Sequence, residues 1–404
     1  MGRKKQQVRK VTTLDYSRQN AVYTHRRKKK LPIVLAIVFV LVLAGAGAAF
    51  AYIHNLNSKI QIEDEEVTES LTEVKENVEP YWTLILGSDA RPEESESNSR
   101  SDVIMLVRVD QNNKQLTLVS IPRDTLVDIE GYGTNKINAA YSYGGAQLAI
   151  STIEEFAGVK ISHYAEIYFD GVETLVDSIG GITVDVPEYA SYADVTLDPG
   201  VQTLTGHEAM ILARVRKTYS QGDFTRTYVQ RLLVQAMVEK VLSQPVTSLP
   251  SIVESIAGCF TTDMSLNDLI ALAQAMQGIT SENMYSAMAP STAGMVDGVS
   301  YTFTYINQWK LLMQKADEGV DPTLSDEEIA ICGTESTETT DLVMTTGLPD
   351  TVKTQLEELA SQQAAAAAAA AAGTDGTATD ATGTSSSTSA TTQTSQTAPV
   401  SQSE

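Results

Sequence analysis

Arginine is confined to one stretch of the chain once the hydrophobic segment near the N-terminus has been passed. The arginines beyond residue 53 are Arg91, Arg100, Arg108, Arg123, Arg214, Arg216, Arg226 and Arg231. Aspartates lie among them, at Asp89, Asp102, Asp124 and Asp223. A guanidinium group forms two parallel hydrogen bonds with a phosphate or a carboxylate, which a lysine cannot do. The pattern predicts a site for a phosphorylated, metal-bound ligand.

The first group of these residues lies at the ends of predicted strands. Asp89 follows the first strand, Arg100 and Asp102 lead into the second, and Arg123 and Asp124 follow the third. We expect the carboxylates and the arginine to meet at one sheet edge, where Mg²⁺ uses one or two carboxylates and leaves its other positions to water and phosphates. Turn residues, helix caps and a local Arg123–Asp124 ion pair explain the same residues equally well. This group alone does not decide between a ligand site and ordinary structure.

The second group is more ordered. Arg214 and Arg216 stand two apart at the predicted end of a helix, and Asp223 is placed to cap the next helix. Arg226 and Gln230 are four residues apart and share one helical face. A solvated helix face with internal ion pairs is the alternative interpretation. The absence of arginine after Arg231 favours a ligand site.

Strand and helix patterns alternate in the part of the chain that carries these residues. Strands are predicted at 81–86, 103–109, 116–121, 165–169 and 182–186, and helices at 146–156, 171–179, 205–214 and 223–242. The turn-rich residues 110–114 join the second and third strands as a hairpin. The predicted fold is an α/β domain with a central mixed β-sheet flanked by helices.

Residues 31–53 contain no charged residue and are long enough for one transmembrane helix. Residues 1–30 hold 11 Lys and Arg and one Asp, so the positive-inside rule places this basic tail in the cytoplasm and the rest of the chain outside. A cleaved signal peptide is the alternative, but its apolar region is usually shorter. We expect a single-pass membrane protein with an extracytoplasmic domain.

The remainder of the chain is acidic and falls into three segments. Residues 31–404 hold 18 Lys and Arg against 50 Asp and Glu, a charge of −32, which argues against nucleic-acid binding. Residues 54–79 are predicted to be an acidic stalk, and residues 80–321 a single domain. Residues 322–404 are of low complexity and are expected to be disordered, with a transient helix or a spacer as alternatives for the alanine run at 364–372.

Cysteine and histidine give little support to other kinds of site. Cys259 and Cys332 are compatible with one disulfide in an oxidising compartment or with two free thiols. The four histidines are scattered, and their spacing supports neither a histidine metal site nor a Ser-His-Asp triad.

The chain resembles the LytR-CpsA-Psr proteins of bacterial cell envelopes. The matching motifs run in family order between residues 86 and 226, and a basic tail and a single hydrophobic span precede them. They are Leu86-Gly87-Ser88-Asp89, Arg100-Ser101-Asp102, Ser120-Ile121-Pro122-Arg123-Asp124, Lys136-Ile137-Asn138-Ala139-Ala140-Tyr141, Gly144-Gly145, Leu175-Val176-Asp177-Ser178-Ile179-Gly180-Gly181, Leu204-Thr205-Gly206, Arg214-Val215-Arg216 and Gly222-Asp223-Phe224-Thr225-Arg226.

The resemblance implies a phosphotransferase of the bacterial cell membrane, with a motif core at residues 84–231. Such an enzyme moves a glycopolymer from a polyprenyl-pyrophosphate carrier to peptidoglycan and leaves a phosphodiester. Teichoic acid, capsule and other wall glycans are all compatible polymers. A hydrolase that uses the same site and a non-catalytic envelope-binding regulator are the two alternatives.

The resemblance also implies roles for single residues. Asp89 and Asp102 would hold Mg²⁺, or Mn²⁺, against the pyrophosphate, and Asp223 would orient the arginines. The pyrophosphate oxygens would be bound by Arg100, Arg123, Arg214, Arg216, Arg226 and Gln230. Arg100, Arg123 and Asp223 would thus belong to the catalytic set, and Asp124 is a weak candidate for its general base.

Two further expectations concern the surroundings of the site. Family members commonly have an arginine at the position of Val229, so one substrate contact is either missing here or supplied by Arg231. The prenyl tail would lie in an apolar groove, although core packing explains its candidate residues equally well. These are Val159, Ile161, Ile167, Phe169, Val172, Leu175, Ile211 and Leu212.

Overall fold

A computed structural model describes residues 31–62, 64–75, 79–88, 101–337 and 347–373, with side chains from residue 44 to residue 369 of these ranges. Asp89 and Arg100, together with the basic tail at 1–30, lie outside the described residues. The chain divides into two compact units. The first comprises residues up to Leu324 and residues 334–347, and the second comprises residues 325–333 and those from Leu348 onward.

The helices alternate with strands through most of the first unit. The helices of the described residues are α1 (Leu31–Ile60), α2 (Glu65–Ser70), α3 (Ala139–Ala157), α4 (Phe169–Ser178), α5 (Gly206–Arg214), α6 (Asp223–Leu242), α7 (Leu249–Ile256), α8 (Leu266–Ala275), α9 (Ile306–Asp317), α10 (Asp326–Cys332) and α11 (Asp350–Gly373). Short 3₁₀ helices lie at Val246–Ser248 and Ser281–Asn283.

The strands form one large sheet and several hairpins. They are β1 (Tyr81–Ser88), β2 (Ser101–Asp110), β3 (Gln115–Ser120), β4 (Leu126–Ile129), β5 (Gly133–Lys136), β6 (Ile161–Tyr168), β7 (Ile182–Val186), β8 (Ala190–Tyr192), β9 (Val195–Leu197), β10 (Gly200–Leu204), β11 (Phe260–Thr262), β12 (Met284–Met288), β13 (Ser291–Val296) and β14 (Val299–Thr304).

The central sheet has six strands in the order β11-β6-β1-β2-β3-β12. The pairs β1–β6 and β3–β12 are parallel, and the other three pairs are antiparallel. The sheet is therefore mixed, as the sequence predicts. Because β2 runs against both of its neighbours, its first residues lie at the same sheet edge as the last residues of β1 and β3.

Both faces of the sheet are covered, which explains why its middle strands are apolar along their whole length. Ile104 and Leu106 of β2 belong to the core beneath α3 and α9, where Trp309 is also buried. Met105 and Val107 point to the opposite core, beneath α6 and α8. A third cluster lies among α4, α5, α6 and the β7–β10 and β8–β9 pairs. It adjoins the C-terminal end of β6, because α4 begins directly after that strand.

The segment expected to be a stalk packs on the first unit. Leu56 and Ile60 near the end of α1 are fully buried against Val253 and Leu266. Asn57 Oδ1 accepts a hydrogen bond of 2.8 Å from the backbone N–H of Leu266. Further along, α2 contributes its buried valine at position 67 to the main core. Most of residues 54–79 thus belong to the folded domain, because apolar side chains recur between the acidic ones.

No helix among the described residues combines the length and the apolarity needed to cross a membrane. The predicted span at 31–53 falls within α1, and the side chains of residues 31–43 lie outside the description. The membrane anchor stays a prediction.

Every strand and helix predicted from periodicity is found, and their bounds differ by at most four residues except at the start of α3. This helix begins seven residues before the predicted position 146, although Gly144 and Gly145 within it depart from helical geometry. The sheet strands β11 and β12 were not predicted, because they have three and five residues and lack a clear alternation. In the second unit, the alanine run continues the helix α11 to Gly373, although this segment was expected to be disordered. Alanine has the highest intrinsic helix propensity, which accounts for the difference. Residues 374–404 lie outside the described residues.

We predict that Leu56→Ala destabilises the domain by about 2–5 kcal/mol, because it leaves a cavity in a fully buried contact. Urea denaturation followed by the fluorescence of the buried Trp82 and Trp309 measures the loss. Lys59→Ala, at an exposed position of the same helix, is the matched control. Equal stabilities for the two variants would show that the end of α1 is not part of the cooperative fold.

The turn between β2 and β3 predicts a dependence of stability on pH. Burial tends to raise the pKa of Asp110, but hydrogen bonds from Asn113 and the charge of Arg108 outweigh burial and lower the pKa. A lowered pKa contributes stability above the unfolded-state value of about 3.9, and this contribution is lost as the pH falls through the folded-state value. We expect Asp110→Asn to destabilise the protein at pH 7 and to differ less from the wild type below about pH 4. Asp128→Asn, at an exposed position, is the control and should leave the free energy of unfolding unchanged at both pH values. Urea titrations at each pH measure these free energies.

Candidate functional site

The edge of the sheet brings together an aspartate and an arginine that are distant in sequence. Asp102 is the second residue of β2, and Arg123 follows the end of β3. An Nη1–H of Arg123 donates a short hydrogen bond to Asp102 Oδ1, and both side chains are about one-fifth exposed. The structure therefore brings together Asp102 and Arg123, two of the three described members of the first predicted group, as the strand directions require.

The electrostatics of Arg123 reflect carboxylates on several sides. Burial tends to lower the pKa of its guanidinium, but Asp102 outweighs burial through its charge and its hydrogen bond, and the net pKa is raised. Asp223 and Asp124 add to this rise. Arg123 is therefore a firmly charged group at the junction of the two predicted clusters.

Asp124 is held by Lys136, which was not predicted to belong to the site. Lys136 Nζ, at the end of the β4–β5 hairpin, donates a hydrogen bond of 2.8 Å to Asp124 Oδ1. Asp124 Oδ2 is 3.9 Å from Arg123 Nε. The position of Lys136 within a matching motif was the only sequence signal for it. The hairpin extends the polar network beyond the sheet edge.

The second group lies where α5 ends and α6 begins. Asp223 Oδ1 is 2.7 Å from Arg226 Nη2 and 3.7 Å from Arg216 Nε. Asp223 does not cap α6 as predicted, because the cap position is Gly222, whose φ of 55° favours glycine. Its carboxylate, in the first turn, is directed to the two arginines instead.

Arg226 is the most deeply buried arginine of the site and is only partly neutralised. Burial is the largest influence and lowers the pKa of its guanidinium, while Asp223 opposes this effect. The charges of Arg123 and Arg216 lower the pKa further, because like charges repel. Its Nε and Nη2 are buried and have no hydrogen-bond partner of good geometry among the described residues, although Nη2 lies at ion-pair distance from Asp223. These donors favour an anionic ligand.

A cavity of about 390 Å³ opens beside these groups. It is lined by Asp102, Phe169, Tyr192, Ala213, Arg214 and Arg226. The guanidinium of Arg214 lies over the ring of Phe169, with 4.9 Å between its Cζ and the ring centroid. The lining of the cavity therefore contains both charged groups and two aromatic rings.

The remaining predicted positions are structural neighbours of the cavity. Gln230 is buried and donates a hydrogen bond of 3.0 Å to the carbonyl of Ala213, the residue before Arg214. Val229 is fully buried in the core, as predicted. Arg231 is buried as well, and it donates hydrogen bonds to the hydroxyls of Ser120 and Ser286. These two hydrogen bonds join β3 to β12, so Arg231 has a structural role in the core.

The residues named for the apolar groove lie in different places, and the groove stays a prediction. Phe169 lines the cavity, whereas Ile161 packs in the core beneath α3. Ile211 and Leu212 are buried in the cluster around α5. Ordinary packing therefore accounts for these three.

Other reactive side chains lie elsewhere. His163 pairs with Asp263 at 2.7 Å, and His207 lies 3.2 Å from Asp194. Cys259 and Cys332 are not joined by a disulfide. Within the described ranges, no group of three or more His, Cys, Asp or Glu side chains is arranged to hold a metal ion.

The site combines three arginines, two aspartates and a partly aromatic cavity. Arg214 and Arg226 line one cavity together with Asp102, while Arg123 contacts Asp102 and Asp223 contacts Arg226. Such an arrangement binds an anion with several oxygens and an apolar or aromatic-compatible substituent.

The proteins that this chain is similar to include two teichoic acid transferases. A polyisoprenyl-teichoic acid–peptidoglycan teichoic acid transferase TagU of Enterococcus faecalis is 34% identical over 227 residues, which cover 56% of this chain and 75% of that protein. A TagU of Halalkalibacterium halodurans is 36% identical over 203 residues, which cover 50% of this chain and 66% of that protein.

A solved structure and a family model agree with these relatives. The crystal structure of Bacillus subtilis TagV is 28% identical, with a TM-score of 0.52, and the alignment covers 61% of this chain and 99% of TagV. The model of the LytR_cpsA_psr family matches residues 47–317, which include every described residue of the site. The chain belongs to the LytR-CpsA-Psr family.

Proposed function

We propose that this protein transfers a polyprenyl-linked glycopolymer, of the teichoic acid class, onto peptidoglycan. The observation that carries the proposal is the buried Arg226 guanidinium, which lines a cavity with Arg214 and Asp102 and has donors without a well-aligned hydrogen-bond partner among the described residues. Membership of the family and the names of its relatives support the substrate class. The unpaired donors call for an anionic ligand, and a pyrophosphate linked to a lipid meets this need.

The arginines bind and polarise the pyrophosphate in this proposal. Arg226 and Arg123 hydrogen-bond oxygens of the phosphate that is transferred, and Arg214 binds the phosphate that leaves with the lipid. Phosphoryl transfer depends on placement and on neutralisation of the charge that develops on these oxygens. Asp223 holds Arg226 in place through the 2.7 Å contact, so the guanidinium is already oriented when the phosphate binds. Arg216 is largely exposed and supports the entrance to the site. Arg100, outside the described residues, is a further proposed phosphate ligand.

Asp102 fits a Mg²⁺ ligand, because its carboxylate lies on the cavity wall beside the phosphate-binding arginines. Asp89, which lies outside the described residues, is the proposed second ligand, and Mn²⁺ is an alternative ion. When bound, the ion supplies Lewis-acid stabilisation of the phosphate oxygens. Arg123 contacts Asp102 directly and thereby positions this ligand.

The proposed reaction breaks one P–O bond and forms another. A hydroxyl oxygen of peptidoglycan attacks the phosphorus next to the glycopolymer, and polyprenyl phosphate departs with the bridging oxygen. The hydroxyl proton passes to a base, for which Asp124 is the candidate. Its Oδ1 accepts from Lys136, so Oδ2 is the atom that is available for the proton. Gln230 positions Arg214 through its bond to the carbonyl of Ala213.

The location follows from the same proposal. A lipid-linked donor requires the site to lie next to a membrane, and the uncharged run at 31–53 provides an anchor. The basic residues before it keep the N-terminus in the cytoplasm, so the domain faces the cell wall.

Arg226→Gln is expected to weaken the binding of inorganic pyrophosphate with Mg²⁺ by roughly 10- to 100-fold, since hydrogen bonds to charged groups contribute about 1.5–3 kcal/mol. Isothermal titration calorimetry of the full chain measures the change. Lys160→Gln removes one positive charge from an exposed surface position and serves as the control. If both variants lost affinity equally, the effect would come from net charge, and Arg226 would not be a ligand.

Transfer itself is tested with a polyprenyl-pyrophosphate oligosaccharide, Mg²⁺ and peptidoglycan fragments, with products followed by mass spectrometry. We expect a Mg²⁺-dependent phosphodiester between glycan and peptidoglycan, which Asp102→Asn and Arg123→Ala each reduce by at least about 100-fold, the typical loss when one group that stabilises the transition state is removed.

Two other outcomes would contradict the transferase. Release of phosphorylated glycan without linkage, even with acceptor in excess, would identify a hydrolase. Tight binding of the lipid without turnover, unchanged in Asp102→Asn, would identify a non-catalytic envelope-binding regulator.

A further inference from the structure

Two exposed tyrosines form a stacked pair near the polar network of the site. The rings of Tyr132 and Tyr143 have centroids 4.5 Å apart and an interplanar angle of 10°. Tyr132 is 56% exposed and Tyr143 is 41% exposed. Exposed aromatic rings that are held in contact are unusual at a surface, where a large apolar group gains by burial. The pair, called here the tyrosine platform, requires an explanation.

Local hydrogen bonds fix the geometry of the tyrosine platform. The hydroxyl of Tyr132 donates to the carbonyl of Tyr143 at 3.2 Å, and Asn135 Nδ2 donates to the hydroxyl of Tyr143 at 2.7 Å. Tyr132 stands between Gly131 and Gly133, whose φ values of 76° and 73° form the tip of the β4–β5 hairpin. The rings are therefore ordered before any ligand arrives, which lowers the entropic cost of binding.

A continuous set of polar contacts joins the tyrosine platform to the phosphate site. Asn135, which binds Tyr143, is the neighbour of Lys136 in β5. Lys136 holds Asp124, the candidate base, and Asp124 lies beside Arg123. The platform is thus attached to the part of the site from which an attacking hydroxyl has to lose its proton.

The hairpin that carries Tyr132 and the aromatic wall of the cavity follow different strands of the central sheet. Phe169 of that wall follows β6, whereas the β4–β5 hairpin continues from β3. β6 and β3 are three strand spacings apart, or roughly 14 Å. A donor that occupies the cavity near Phe169 leaves the β3 side open to a second substrate.

We propose that the tyrosine platform is a binding site for a saccharide, and that it holds the acceptor glycan of the transfer reaction. The carbon–hydrogen face of a pyranose ring packs on an aromatic ring, and its hydroxyl and amide groups pair with polar groups such as Asn135. The exposed acidic side chains of Asp128 and Glu130, on the same hairpin, disfavour the anionic donor polymer at this surface. The assignment to the acceptor rests on the proposed function, whereas saccharide binding does not.

Binding is measured on the full chain with a soluble, uncharged tetrasaccharide of N-acetylglucosamine, one of the two sugars of the peptidoglycan glycan, without donor. We expect Tyr132→Ala and Tyr143→Ala each to raise the Kd roughly tenfold, the effect of losing one aromatic contact. Tyr132→Phe keeps the ring and should bind within a factor of about two of the wild type. In the transfer assay, the alanine variants should raise the KM for the acceptor and leave the affinity for pyrophosphate unchanged.

A direct probe keeps the test independent of the stability of the variants. With 3-fluorotyrosine incorporated, the ¹⁹F resonance assigned to Tyr132 through its loss in Tyr132→Phe should shift when the tetrasaccharide is added. No shift at a saturating concentration, or an unchanged Kd in folded alanine variants, would overturn the proposal and leave the pair as a tether between the hairpin and α3. A loss of pyrophosphate affinity in these variants would place the donor at the platform and would also overturn it.

The two proposals fail in different ways. If the tetrasaccharide binds at the tyrosine platform but no transfer occurs, the saccharide site stands and the transferase does not. If transfer occurs without saccharide binding at the platform, the reverse holds.

Discussion

The site depends on two guanidinium groups that are held close together although they repel each other. Arg123 follows β3, whereas Arg226 lies in α6. The positive charge of Arg123 lowers the pKa of the Arg226 guanidinium. Asp102 and Asp223 stabilise this arrangement from two sides. The repulsion is offset only in part, because buried donors of Arg226 remain without well-aligned partners among the described residues. The proposed anionic ligand would complete this balance of charge.

The mixed sheet is what makes this arrangement possible. Reversal of β2 against β1 and β3 places the start of one strand beside the ends of two others. Asp102 and Arg123 then meet across a sequence separation that no local structure could bridge. The third core, around α5 and α6, supports Arg226 and Gln230 on a face that is buried rather than solvated. The sheet edge thus fixes one half of the ligand site, and the third core fixes the other half.

Much of this organisation could be predicted from sequence, and the exceptions have physical causes. The regular period of β1, β2 and α6 identified them, whereas β11 and β12 are strands chiefly because an existing sheet offers an edge to pair with. Charge type and spacing identified Arg226, but not that Asp223 contacts it from the first turn of α6, since Gly222 takes the cap position. Lys136 and the tyrosine pair were missed because their roles arise from the folding of one hairpin against α3.

The docking of α1 has a mechanical consequence. Its last turns are buried between α7 and α8 and hydrogen-bonded to the start of α8, so the helix and the domain tilt together. Residues 31–53 of this helix are the proposed anchor. A change in bilayer thickness that tilts the anchor therefore turns the cavity by the same angle. The thickness of the membrane would then set which lipid carriers can bring their head groups into register with the arginines.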